Sequence, residues 1–429
     1  MLDSKALTKI QSIILIAVII IAAVGGVAVY VLDGGEEQSS DTIKIGILDD
    51  LDGLGKEAYQ SVILAAEQIN AEGGLLGRRV EVFGEDNDGG GDPVLINIAL
   101  TRLIFQHEVD FITGPGSPEI QEIVAEHKRI FIAASGSDEL SRKVLENYER
   151  YKYYFTATWN SSAIFLSMID SIFAIRENLG FNKIGIISED TGWNKPVVEG
   201  LASVLPQNGF ELEYQKLFPL ETIDFSSYFA AAEAAGVELL LPLIFSECGI
   251  PFVKEYYDRQ SPMFIYGGLI SMASLQESWE WTDGKCEDIC IGTLPVAAGY
   301  PLTSKTLPTR EAYIERWNET PFNALSYDII RFILADAIER AGTIETEAVI
   351  KALEETSIET SNAKNVAFTT SHDVLVGENI NDPEEDYMFA IVFQWQDGDL
   401  IPVYPKKIME EAGAIYTFPD WLGPWDNIS

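Results

Sequence analysis

Gly114-Pro115-Gly116-Ser117-Pro118-Glu119 carries a clear chemical signal. A serine followed by a proline reads as a helix start, with Ser117 as N-cap and Pro118 at the first helical position. The unpaired N–H groups and the positive dipole end there suit an anion such as a carboxylate. Ala133-Ala134-Ser135-Gly136-Ser137 brings two more hydroxyls, around a glycine that lets backbone come close to a ligand. Asp49, Ser117, Ser135 and Trp193 all directly follow apolar runs that read as strands, and Phe245-Ser246-Glu247 follows another. This set supports binding rather than catalysis. There is no Gly-x-Ser-x-Gly elbow, no P-loop and no His-Glu-x-x-His. His107, His127 and His372 stand in no motif. Asp49, Asp50 and Asp52 lack the spacing of a calcium loop, so no metal is expected. Cys286 and Cys290 have Glu-Asp-Ile between them and suit a small-loop disulfide outside the cell, with Cys248 left free. A zinc pair is the weaker reading, because no second Cys or His pair is near.

The elements that must hold these residues alternate. Ile43 to Leu48, Arg79 to Phe83, Val109 to Thr113 and Ile130 to Ala133 read as strands. Between them, Lys56 to Asn70, Pro93 to His107 and Ser117 to Lys128 have helical spacing. In the first, Tyr59, Ile63, Ala66 and Ile69 fall on one face, and Gly73-Gly74 ends it. The pattern restarts with a strand at Lys183 to Ile187 and a helix over Lys195 to Gln207. A strand at Glu211 to Phe218, a helix at Phe225 to Ala235, and strands at Leu239 to Ile244 and Met263 to Tyr266 follow. Helices return at Thr309 to Asn318, Tyr327 to Ala341 and Glu345 to Glu355. The expectation is α/β, with two doubly wound lobes whose ligands sit beyond the C-terminal strand ends.

Ile13 to Leu32 is twenty residues without charge or proline, about the thickness of a bilayer core. Lys5 and Lys9 precede it and Asp33, Glu36 and Glu37 follow, so the positive-inside rule puts 1–12 in the cytoplasm and the body outside. Residues 33–41 read as a linker. The chain has 67 acidic and 29 basic residues, a net charge of −38, which argues against nucleic acid and anionic membrane surfaces as partners. Asn160, Asn318 and Asn427 open N-x-S/T sequons, and Asn318 is the better glycan candidate because Asn160 is near an expected crossover.

IKIGIL, AAEQINAEGGLLGRRVEV, EDNDGGGDP and VDFITGPGSPEI resemble the first lobe of a solute-binding protein of the branched-chain amino acid transport type. ISEDTGWNKPVVEGLASVL, NALSYDIIRFILADAIERAG and FQWQDGDLIPVYP continue the resemblance in order, from Ile43 to Pro405. It implies a type I periplasmic binding protein feeding an ABC importer, with no cofactor and a permease as partner. It implies lobe I at 42–157 and 297–362, lobe II at 158–296 and 363–405, and a tail at 406–429. The three crossovers would lie near 155–160, 293–298 and 360–370. By the same resemblance Ser135, Gly136 and Ser137 contact a ligand carboxylate and amino group. Trp193 stands where relatives carry a covering Tyr, and Phe245 and Glu247 line the cleft. One departure is visible. The second-lobe acid that faces a ligand ammonium is missing from Ile265-Tyr266-Gly267-Gly268-Leu269, so Glu247, Asp49 or Asp50 must replace it or the ligand is not an α-amino acid. Lys5 to Gln11 resembles an archaeal type IV pilin-like signal, which implies cleavage after Ala6 with the apolar run retained. The resulting expectation is a tethered extracellular single-pass receptor for an amino acid, amide or carboxylate. A sensory ectodomain with a separate signalling partner is the alternative.

Overall fold

A computed structural model describes residues 42–53, 55–87, 92–191, 194–269, 272, 275–376 and 387–422. The apolar run Ile13 to Leu32, the Ala6 junction, Trp193 and Asn427 lie outside the described residues. Among the described residues no helix is long and apolar enough to cross a membrane.

The first lobe is a parallel sheet in the order β2-β1-β3-β4-β5. Its strands are β1 (Ile43–Asp49), β2 (Val80–Asp86), β3 (Phe111–Gly114), β4 (Ile130–Ala133) and β5 (Tyr154–Thr156). Helices α1 (Lys56–Ala71), α2 (Pro93–Thr101), α3 (Pro118–His127) and α4 (Asp138–Glu146) connect them. Strand alternation divides the core between two faces. Ile43, Ile45 and Ile47 pack with Val62, Ala65 and Ile69 of α1, while Leu48 packs on the other face with Leu100, Val124 and Tyr154. α1 ends where Gly73 and Gly74 take left-handed φ, and Gly74 N–H donates to Ile69 O at 2.9 Å.

The chain enters the second lobe through α5 (Ser161–Leu179), capped by Asn160, whose side chain accepts from Ala163 N. Ile172 and Ile175 of α5 pack on Ile184, Ile186, Leu239 and Leu241. This sheet has β6 (Lys183–Glu189), β7 (Glu211–Phe218), β8 (Leu239–Ile244), β9 (Phe264–Leu269) and β10 (Cys290–Thr293). Its helices include α6 (Asn194–Gln207), α7 (Ser226–Ala234) and α8 (Gly249–Arg259). The second change of lobe falls at the turn Pro295–Ala298: Val296 packs in the first lobe's core, Ala297 and Ala298 in the second's.

Helices α9 (Thr306–Trp317), α10 (Ala335–Ala341) and α11 (Thr346–Glu354) return to the first lobe, where Tyr313, Ile338, Val349 and Leu353 join its core. Short strands β11 (Ser357–Ile358) and β12 (Val366–Ala367) pair antiparallel. An antiparallel hairpin, β13 (Ile391–Gln396) and β14 (Asp399–Tyr404), then closes the second sheet in the order β14-β13-β10-β9-β8-β6-β7. Its two-residue loop, Asp397-Gly398, has both φ positive, as a tight hairpin turn requires. α12 (Lys406–Ala412) follows, and the indole N–H of Trp421 donates to Ser261 O, which ties the tail to the second lobe.

Two expectations need correction. The third change of lobe is not at 360–370. Val366, Phe368, Val374 and Met388 pack in the first lobe's core, and Phe389 packs in the second's, so the change falls at Met388-Phe389. The cause is backbone pairing with β5: Thr156 N–H donates to His372 O at 2.8 Å, and Val374 N–H donates to Thr156 O at 3.0 Å. The second correction concerns Cys286 and Cys290, which are buried free thiols. Cys286 packs in the core on one face of the second sheet and Cys290 in the core on the other, so the sheet itself separates them.

Candidate functional site

Each sheet has one place where strand order reverses, and there the chain leaves neighbouring strands in opposite directions and opens a crevice. In the first sheet β1 lies between β2 and β3. Asp49 ends β1, Ser117 follows β3, and Ser135 to Ser137 follow β4. In the second sheet β6 lies between β7 and β8, so Glu189 and the Phe245-Ser246 turn hold the matching place. Parallel pairing therefore brings residues far apart in sequence to one end of each sheet.

The first-lobe turns are tight and depend on glycine. Gly114 has φ 150°, and a Cβ there would meet Leu48 O at 2.1 Å. Ser117 N-caps α3, its Oγ accepting from Ile120 N at 3.2 Å, with Pro118 next. Ser135 Oγ accepts from Gly116 N at 2.8 Å, which joins the two turns. Each hydroxyl thus has its oxygen fixed by a backbone donor while its own proton stays available to donate. A Cβ on Gly136 would meet Thr156 Cγ2 at 2.5 Å, so that turn sits directly against the first crossover. Ser137 stands before α4 but its side chain makes no capping bond; its carbonyl accepts from Ser141 Oγ at 3.1 Å.

The acids beside them differ in state. Asp49 is half-buried, accepts from Asp50 N at 2.9 Å, and burial pushes its carboxyl up to about 6. Glu57, in the first turn of α1, accepts from Ser61 Oγ and Ala324 N, and burial pushes it up to about 7. Among the described residues no Lys, Arg or His pairs with either. A Cβ on Gly55 would fall 2.3 Å from the Asp49 carboxyl, so the turn wraps closely around it.

In the second lobe Glu247 is exposed and Phe245 half-buried. The structured acid there is Glu189, only 2% exposed, which accepts from Phe245 N at 3.2 Å, Ser246 N at 2.9 Å and the Ser246 hydroxyl. Its carboxylate fixes the turn after β8, so its hydrogen-bonding capacity is spent on the protein. Sequence reasoning passed over Glu189; the available signal was a carboxylate closing an otherwise apolar strand. It also passed over Glu57 and Tyr154, which lies under Gly116. Asn160 is held as an N-cap and is half-buried, whereas Asn318 is exposed at the left-handed end of α9. A separate cavity of about 440 Å³, lined by Leu75, Lys305, Arg331, Phe332, Asp336 and Glu339 among others, includes none of the strand-end residues.

The chain matches the family described as periplasmic binding protein over residues 42–377. It is 25% identical over 402 residues to the Leu/Ile/Val-binding protein homolog 7 of Brucella melitensis, covering 88% of this chain and 95% of that one. In fold it is similar to the branched-chain amino acid transporter substrate-binding protein of Streptococcus pneumoniae in complex with isoleucine. There the TM-score is 0.70 at 18% identity, over 85% of this chain and 100% of that one. It is also similar to an ABC transporter solute-binding protein of R. palustris in complex with benzoate, with a TM-score of 0.69 at 12% identity, over 85% and 96%.

Proposed function

The chain belongs to the periplasmic binding protein family, and from that premise we propose that it captures a small molecule with a carboxylate head between its two lobes and delivers it to an ABC importer. The observation that carries the reading is the pair Ser117 and Ser135. Their oxygens are fixed by Ile120 N and Gly116 N, and their protons are left to donate at the N-terminus of a ten-residue helix. Such donors, with the positive end of the helix behind them, stabilise an anion without a fixed cation. Ser137 and Gly136 extend this wall. Trp193, Phe245 and Glu247 would approach from the second lobe, and contact with both lobes is what makes a ligand favour the closed state that a permease reads.

The acid for a ligand ammonium, where there is one, is Asp49. A half-buried carboxylate without a cation is the group that an ammonium would relieve. Amino acids therefore remain within the ligand class even though Gly267 and Gly268 provide no acid. The body works outside the cell, held by the apolar run Ile13 to Leu32.

Thermal melting of the full chain against L-leucine, L-isoleucine, benzoate, acetate, acetamide and urea tests the ligand class. A true ligand at 100 times its dissociation constant adds about 2.7 kcal/mol of stability. The expected result is a rise with at least one carboxylate and none with acetamide or urea. A rise with the neutral amides alone would contradict the reading.

A further inference from the structure

We infer that the hydroxyl of Tyr154 is a further ligand contact, donating a hydrogen bond to the carboxylate head held by Ser117 and Ser135; this rests on the binding reading above. Tyr154 lies in β5, and its side chain packs on the sheet face that carries α3 and α4. The ring stacks on Phe131 with centroids 5.5 Å apart and planes 9° apart, so its direction is fixed. The residue is 2% exposed. Its hydroxyl, fully buried, has no hydrogen-bond partner among the described residues.

Buried tyrosine hydroxyls normally find a partner, and one that does not is better replaced by phenylalanine. The surroundings give no packing reason for the oxygen, since the ring's neighbours include Phe131, Ala133 and Leu140. The position of the oxygen does give a reason. A Cβ on Gly116 would lie 2.1 Å from it and 2.8 Å from Ser135 O. The hydroxyl therefore sits where the two serine turns meet, and Gly116 must lack a side chain for it to be there. Burial raises the phenol further above its ordinary range, and Asp373 adds to this, so the group stays protonated and acts as a donor. The Tyr154 hydroxyl thus lies beneath Gly116, in the same pair of turns as the Ser117 and Ser135 O–H donors at the start of α3. These donors match an acceptor-only group such as a carboxylate.

The test is Tyr154→Phe in the full chain, with Tyr153→Phe as a control on the opposite face of the strand. Unliganded melting and calorimetric titration with L-isoleucine and with sodium benzoate are read for each. Tyr154→Phe is expected to melt at or above the wild-type temperature without ligand, because it removes an unpartnered hydroxyl. It is expected to raise the dissociation constant of whichever compound binds by about five- to tenfold. Tyr153→Phe is expected to leave affinity unchanged. An unchanged dissociation constant in Tyr154→Phe overturns the inference and leaves the binding reading intact. A drop of several degrees in unliganded melting also overturns it, because the hydroxyl is then paired with protein. Failure of the wild type to bind either compound marks failure of the binding reading, and the inference falls with it.

Discussion

Asp49 and Glu57 give up their protons at higher pH than exposed acids do. Burial raises Asp49 to about 6 and Glu57 to about 7, from ordinary values of 3.8 and 4.5. A carboxyl whose folded value is raised contributes stability below its unfolded value and loses it as pH rises through the folded one. The unliganded protein should therefore lose melting temperature between about pH 4.5 and 7.5. Asp49→Asn and Glu57→Gln should each flatten that fall and raise melting at pH 7.5. Asp328, also raised to about 6, leaves a residual slope in both variants. A wild-type curve that is flat, or variant curves that keep its full slope, would show that these acids are not held as described. Ser117, Ser135 and Gly136 were legible because their signals are local: a serine-proline helix start, and glycine where the turn closes on Leu48 or Thr156. Glu189 and Tyr154 were not. Their roles depend on which face of a strand they occupy, and sheet pairing sets that rather than neighbouring residues. Cys286 and Cys290 failed as a pair for the same reason, since the sheet lies between them.

At the scale of elements, the strands were easier to read than the helix faces. β8 falls at the expected boundaries because a buried parallel strand is a near-continuous apolar run with clear ends, and β7, an edge strand, because Leu212 and Tyr214 alternate with the exposed Glu211, Glu213 and Gln215. In α1 the buried stripe runs through Val62, Ala65, Ala66 and Ile69, with Tyr59 and Ile63 only half-buried. The return helices cover its flank: Tyr327 OH bonds Gln68, and Tyr313 OH bonds Gln60 at 2.5 Å. Two expected helices, Pro93 to His107 and Tyr327 to Ala341, contain wider π-helical turns at Arg102–Gln106 and Ile329–Leu334. Such turns leave hydrophobic spacing almost unchanged and so have no signature in it. The late third crossover has a specific cause. Asp373 accepts from Ser141 Oγ at 2.7 Å and Ser371 Oγ at 2.8 Å, and it also bonds Asn160. That side chain ties the returning segment both to α4, which Ser137 begins, and to the cap of α5. No short sequence pattern announces a contact across more than two hundred residues.

For the whole molecule, the two sheets with their reversed strand order, two faces of core each and repeated exchange of chain are what the proposed ligand position rests on. The tether is a separate matter of placement: if Ile13 to Leu32 holds the body outside, protease added to intact cells should remove it. A body protected until the cells are broken would refute that orientation. The central claim concerns the strand ends. Its most direct measurement is a crystal structure of the chain with the tightest carboxylate from the melting panel. The account predicts carboxylate oxygens within hydrogen-bond reach of the Ser117 and Ser135 hydroxyls, with both lobes touching the ligand. A ligand lodged instead in the cavity beside Lys305 and Arg331, or held by one lobe away from the strand ends, would contradict it.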